Sequence, residues 1–121
     1  MPVDYTIDVD QGVVFTTLSG SVTYSEFSKL LQSLAKNPCF RPDSRELLVC
    51  NDAVTDEFDT NQIMSFKDSH VWGEGAKRAF VANSDLVYGL FRMFQIISGT
   101  QHGEIALFRD VSQARLWLGL S

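Results

Sequence analysis

The sequence predicts an α/β domain built on a mixed, mostly parallel sheet, and two stretches carry that expectation. Between Arg78 and Leu120, the short apolar runs Ala79-Phe80-Val81-Ala82 and Ile105-Ala106-Leu107-Phe108 each lead into a polar capping residue and a helical stripe. Strands that are apolar throughout, alternating with helices, are the signature of parallel strands covered on both faces. The amino-terminal stretch differs: Tyr5, Ile7 and Val9 alternate with Thr6, Asp8 and Asp10. That period of two predicts a strand with one wet face at a sheet edge.

The elements follow in order. Asp10-Gln11-Gly12 is turn chemistry, and Val13 to Leu18 is a second strand, so the chain opens with an antiparallel hairpin that Gly20 closes. Thr23 and Glu26 have the spacing of a capping box. Phe27, Leu30, Leu31, Leu34 and Ala35 then share one helical face until Asn37-Pro38 ends the helix. Leu47-Leu48-Val49-Cys50 reads as a central strand, followed by a loop from Asn51 to Asp59. Asp59 with Gln62 caps a helix beginning near Thr60, which places Ile63, Phe66 and His70 on one face and dissolves at Gly73-Glu74-Gly75, a plain turn. Asn83-Ser84-Asp85 opens a long helix ending near Ser98-Gly99, and Asp110 with Gln113 opens a last one that stops at Gly119. The expected order is ββαβαβαβα in one domain over residues 1–121.

At 121 residues the chain buries roughly two thirds of its unfolded surface and folds without staples. A net charge of −5, with no basic cluster longer than Lys77-Arg78, argues against nucleic acid and anionic lipid as partners. Cys39 and Cys50 form no Cys-x-x-Cys pair and are too few for a secreted scaffold, so free thiols in a reducing compartment are expected. No run reaches the length of a membrane span, and the amino terminus has neither a basic region nor an apolar core. The expected location is the cytoplasm.

Loops at the carboxyl ends of strands in open α/β sheets are where ligands sit, which puts the Asn51 to Asn61 loop first. Its acids, Asp52, Asp56, Glu57 and Asp59, lack the glycine and glutamate spacing of an EF-hand and read as turn and capping residues. No metal or cofactor is expected. Asp59, Thr60 and Asn61 are candidates for a phospho-acceptor or partner loop, because a phosphate on Thr60 would meet the unpaired N–H groups of a helix start. The plain alternative makes Thr60 an N-cap or first-turn residue, with neighbouring acids opposing added charge. His70 reads as a core histidine and His102 as a loop histidine, with no third ligand at recognisable spacing. No nucleophile elbow or activated thiol is present, and the chain is expected not to be an enzyme. On the long helix, a projection sends Leu86, Leu90, Met93 and Ile97 toward the sheet. Tyr88, Phe91, Arg92 and Gln95 are left on the outside as a candidate interface, unless neighbouring helices or the Trp72 loop cover them.

The element order, the length and the loop after the third strand resemble the STAS domain, the fold of bacterial anti-sigma factor antagonists. Asn37-Pro38-Cys39-Phe40-Arg41-Pro42 and Asp85-Leu86-Val87-Tyr88-Gly89-Leu90-Phe91-Arg92-Met93 are most similar to a free-standing, uncharacterised SpoIIAA-like branch. The resemblance implies a protein partner. In the sporulation antagonists, a partner kinase phosphorylates a serine in an Asp-Ser-Ser-Gly-like sequence and so releases the anti-sigma partner. The corresponding stretch here is Asp59-Thr60-Asn61-Gln62, which keeps the aspartate and one hydroxyl but lacks the serine pair and the glycine. The phospho-switch is therefore not carried over whole.

Two functions of different class follow as expectations. One is a non-enzymatic protein-interaction or regulatory module, docking a partner or a second copy as a homodimer through the Thr60 loop and the outer face of the long helix. The alternative is a carrier or sensor of an apolar small molecule or lipid, through a loose likeness to the CRAL-TRIO fold, with Met64, Phe66, Trp72, Met93 and Phe94 as lining.

Overall fold

A computed structural model describes residues 3–54, 61–62, 71–99 and 101–120. The described elements are β1 (Val3–Asp8), β2 (Val13–Ser21), α1 (Tyr24–Lys36), β3 (Arg45–Val54), β4 (Lys77–Ala82), α2 (Asp85–Ser98), β5 (Glu104–Phe108) and α3 (Val111–Trp117). The strands form one sheet in the order β1-β2-β3-β4-β5, with β1 antiparallel to β2 and the remaining pairs parallel. This is the mixed, mostly parallel α/β sheet expected, with β1 at an edge. The helix expected from Thr60 to the Trp72 region lies outside the described residues apart from Asn61 and Gln62, which are helical.

Alternation along the strands sorts side chains into two cores. Val14, Leu18, Leu48, Cys50, Phe80, Ala82 and Ile105 pack with Leu30, Leu31 and Leu34 of α1 and Val87 of α2 on one side of the sheet. Val13, Leu47, Ala79 and Val81 pack with Ala114, Leu118 and Leu120 on the other side, against α3. Central strands that read as continuous apolar runs do so because each face has its own cover.

Local chemistry sets the boundaries. Thr23 Oγ1 accepts from the Glu26 N–H at 3.2 Å, and the Glu26 carboxylate accepts from the Thr23 N–H at 3.2 Å, completing the capping box. Removing that cap with Thr23→Ala is expected to lower stability by about 1 kcal/mol. Urea denaturation with an unchanged m-value measures the loss. In the first hairpin, hydrogen bonds from the Gln11 side chain and main-chain N–H hold the Asp8 carboxyl below its usual range.

Three expectations need correction. Gly20 does not close the hairpin strand: β2 continues to Ser21 through an irregularity at Gly20, whose φ of +67° suits glycine. The bulged end of β2 still pairs, Ser19 with Asn51 and Ser21 with Val54, so β3 runs four residues beyond Cys50 into the stretch read as loop. Ala35, assigned to the inner face of α1, is exposed, because the buried stripe is only Leu30, Leu31 and Leu34 wide.

Candidate functional site

α2 packs over β3, β4 and β5, and its rotation decides which residues it presents to solvent. Val87 is buried, while Phe91 and Phe94 lie 5.1 and 6.3 Å from the Phe80 ring. The helix is therefore turned about a quarter of a revolution from the expected projection, at about 100° per residue. Both phenyl rings meet the Phe80 ring, and such ring pairs add a specific attraction to the burial of apolar area.

The outward face changes accordingly. Leu86, expected against the sheet, is 56% exposed, and Ile96 is 69% exposed, with Gly89 and Arg92 exposed and Met93 half-buried between them. Of the four residues assigned to the outer interface, only Arg92 stands in the open. Phe91 packs on the core, Tyr88 lies under the Arg109 guanidinium at 4.1 Å, and Gln95 Nε2 donates to the Ile105 carbonyl at 2.7 Å. That last bond has a purpose in the sheet. Glu104 donates its N–H to Ala76 on the β4 side at 2.8 Å, so alternation turns the Ile105 main chain outward, where Gln95 satisfies its carbonyl.

Of the expected partner loop, Asn61 is exposed, and Asp59 and Thr60 lie outside the described residues, as does His70. His102 lies in the turn before β5, as expected of a loop histidine, and is buried there, with Nδ1 3.4 Å from the Trp72 carbonyl. Both cysteines are free thiols, Cys39 exposed and Cys50 buried. Among the described residues no cluster of three His, Cys, Asp or Glu side chains is placed to hold a metal ion.

A second feature was not anticipated. Glu46 of β3 pairs directly with Arg78 of β4, and Thr16 of β2 lies diagonal to Glu46, whose direct partner on that strand is Val14; all three are on the face covered by α1 and α2, with Arg78 5% and Glu46 3% exposed. Arg78 Nε donates to Glu46 Oε1 at 2.9 Å, Thr16 Oγ1 donates to Glu46 Oε2 at 3.0 Å, and an Arg78 terminal nitrogen donates to the His102 carbonyl at 3.2 Å. The guanidinium is walled by aromatic rings: Trp72 at 4.8 Å, Phe80 at 5.1 Å and Phe94 at 5.9 Å. Burial pushes its pKa down, opposed by the charge and hydrogen bond of Glu46. Nearby, the Trp72 indole N–H and the Ser98 hydroxyl are buried without a hydrogen-bond partner among the described residues. The signal for this row was parity. Thr16 alternates in step with Val14 and Leu18, Glu46 with Leu48 and Cys50, and Arg78 with Phe80 and Ala82, so all three face inward.

At the opposite end of the sheet from the Asn51 loop, an open cavity of about 420 Å³ is lined by Glu74, Gly75, Ala76, Lys77 and Glu104. Its ammonium is engaged, with Lys77 Nζ 4.8 Å from the Trp117 ring. The cavity holds no nucleophile and no acid–base pair placed by hydrogen bonds.

No described helix is long and apolar enough to cross a membrane. No protein-family model matches the chain, and no curated protein matches it. The fold class therefore rests on the geometry above: an α/β domain with a five-stranded, mostly parallel sheet between two helical layers.

Proposed function

We propose that this chain is a non-enzymatic protein-interaction module of the kind its resemblance to anti-sigma factor antagonists implies, docking a protein partner through the solvent face of α2. One observation carries the reading. Leu86 and Ile96 leave an apolar stripe, continued by Met93, on a helix whose other side already covers the sheet. Exposed leucine or isoleucine singly needs no explanation, but two on one face, bracketing a half-buried methionine, form a patch that water disfavours.

The test uses Leu86→Asp with Ile96→Asp, and a photoreactive side chain placed at position 93, between them on the same face. In cells, the crosslinker is expected to capture a defined protein, and the paired aspartates are expected to reduce that capture about tenfold or more. Thermal stability should stay near wild type, because neither side chain supports the core. Unchanged capture by the folded double variant would refute the reading. Thr60→Glu, tested alongside, asks whether a charge at the loop implied by the resemblance also weakens capture.

A second reading, a carrier of an apolar small molecule, has one observation in its favour. The Trp72 N–H and Ser98 hydroxyl, buried without a hydrogen-bond partner among the described residues, would each gain a hydrogen bond from an acceptor-bearing ligand seated beside Phe94. Native mass spectrometry of gently purified protein is the check, and a stoichiometric small-molecule adduct is the outcome that favours it.

A further inference from the structure

We propose that the occupant of the outer α2 face is a second copy of this chain, docked antiparallel across a two-fold axis at Gly89. This rests on the reading of α2 as a docking surface and names the partner. The argument begins with charge. Asp85, in the first turn of α2, has a side chain 98% exposed even though one oxygen takes an Arg109 nitrogen at 2.9 Å. Arg92 is exposed on the same side of the helix and makes no ion pair among the described residues.

A rise of about 1.5 Å per residue puts Asp85 about 6 Å to one side of Gly89 and Arg92 about 4.5 Å to the other. A two-fold axis through Gly89 then brings Asp85 of each protomer level with the partner's Arg92, to within about 1.5 Å along the helix. The same operation lays Leu86 against the partner's Met93 with the same offset, so the acidic, basic and apolar positions of one copy meet their complements in the other. A parallel arrangement would set Asp85 against Asp85 and Arg92 against Arg92.

Gly89 fits the crossing point. A methyl group added there would meet nothing within 4 Å inside the protomer, so the monomer's packing does not call for glycine. Glycine is also a poor helix former at an exposed position, whereas at a two-fold crossing it lets the backbones approach closely. The β1 edge of the sheet is guarded against self-pairing: antiparallel pairing about Thr6 would oppose Asp4 to Asp8.

The test is sedimentation equilibrium of the full chain up to high micromolar concentration, with three variants. Wild type is expected to dimerise reversibly, and Leu86→Asp and Arg92→Asp are each expected to weaken association about tenfold or more. Gly89→Cys, in a Cys39→Ser background that removes the exposed native thiol, is expected to form an interchain disulfide on mild oxidation. A chain that stays monomeric throughout overturns the proposal. So does a dimer that neither variant weakens and that position 89 does not crosslink. Capture of a different protein at position 93 by a monomeric chain also overturns the second copy, yet leaves the docking reading standing. Failure of that reading shows instead as capture indifferent to Leu86→Asp with Ile96→Asp.

Discussion

Arg78→Met is expected to cost about 3–5 kcal/mol, because it leaves the Glu46 carboxylate buried without its cation. For a domain whose total stability is of the order of 5–15 kcal/mol, that is a large fraction, and the variant should unfold at a much lower urea concentration. Two opposing effects meet at this pair. The Arg78–Glu46 bond at 2.9 Å, the Thr16 hydroxyl and the His102 carbonyl satisfy the charges, while desolvation of two ions beneath α1 and α2 works against them. Removing one partner keeps the desolvation and discards the compensation.

Removing all of it tests which effect dominates. The triple variant Thr16→Val, Glu46→Leu, Arg78→Met replaces the polar row by apolar side chains, and is expected to recover most of the loss or exceed wild-type stability. Urea midpoints of the single and triple variants decide the matter. If Arg78→Met proved nearly neutral, the pair would not be dry in solution. If the triple variant were as unstable as the single one, the row would be contributing net stability of its own.

What could be read in the chain before its structure followed from how local each signal is. The capping box at Thr23 and Glu26, the Ser84 cap and the stop after Trp117 are set by residues within one turn of each other, and each lies where expected. The paired cores on the two faces of β3 followed from Leu47 to Cys50 being apolar without alternation. The rotation of α2 was not legible, because Leu86, Leu90, Met93 and Ile97 form as regular a stripe as Val87, Phe91, Phe94 and Ser98. The choice is made by Phe80, across the sheet contact, whose ring receives both phenyl groups. That quarter turn moved the candidate surface from Tyr88, Phe91 and Gln95 to Leu86, Met93 and Ile96, with Arg92 common to both. Glu46 and Arg78 were missed for a related reason: a charge next to an apolar run reads as the wet end of a strand, and only the pairing of β3 with β4 shows that each has a buried partner.

Gly103→Ala is expected to destabilise by about 3 kcal/mol or more, the sum of a strained backbone at about 1–3 kcal/mol and overpacking at about 1–3 kcal/mol. Gly103 has φ of +95°, and a Cβ there would stand 2.9 Å from the Ala76 Cβ and 3.0 Å from the Ala76 oxygen. Neither neighbour is the loose end of a long side chain. The Ala76 oxygen is the acceptor for the Glu104 N–H at 2.8 Å, the contact that starts the β4–β5 ladder, so relief of the clash pulls the two strands apart at their first rung. Gly12→Ala separates the two contributions: its φ is +66°, but a Cβ there meets nothing within 4 Å, so it should lose only the backbone part, about 1 kcal/mol. Gly103 also follows His102, whose carbonyl takes a guanidinium N–H of Arg78 at 3.2 Å. A displaced residue 103 moves that acceptor, and the effects of Gly103→Ala and Arg78→Met should therefore fall short of additive by about 0.5 kcal/mol or more in a double-mutant cycle. Strict additivity would mean that the buried row and the β4–β5 junction are held independently, and that the His102 carbonyl contributes nothing to holding Arg78 in place.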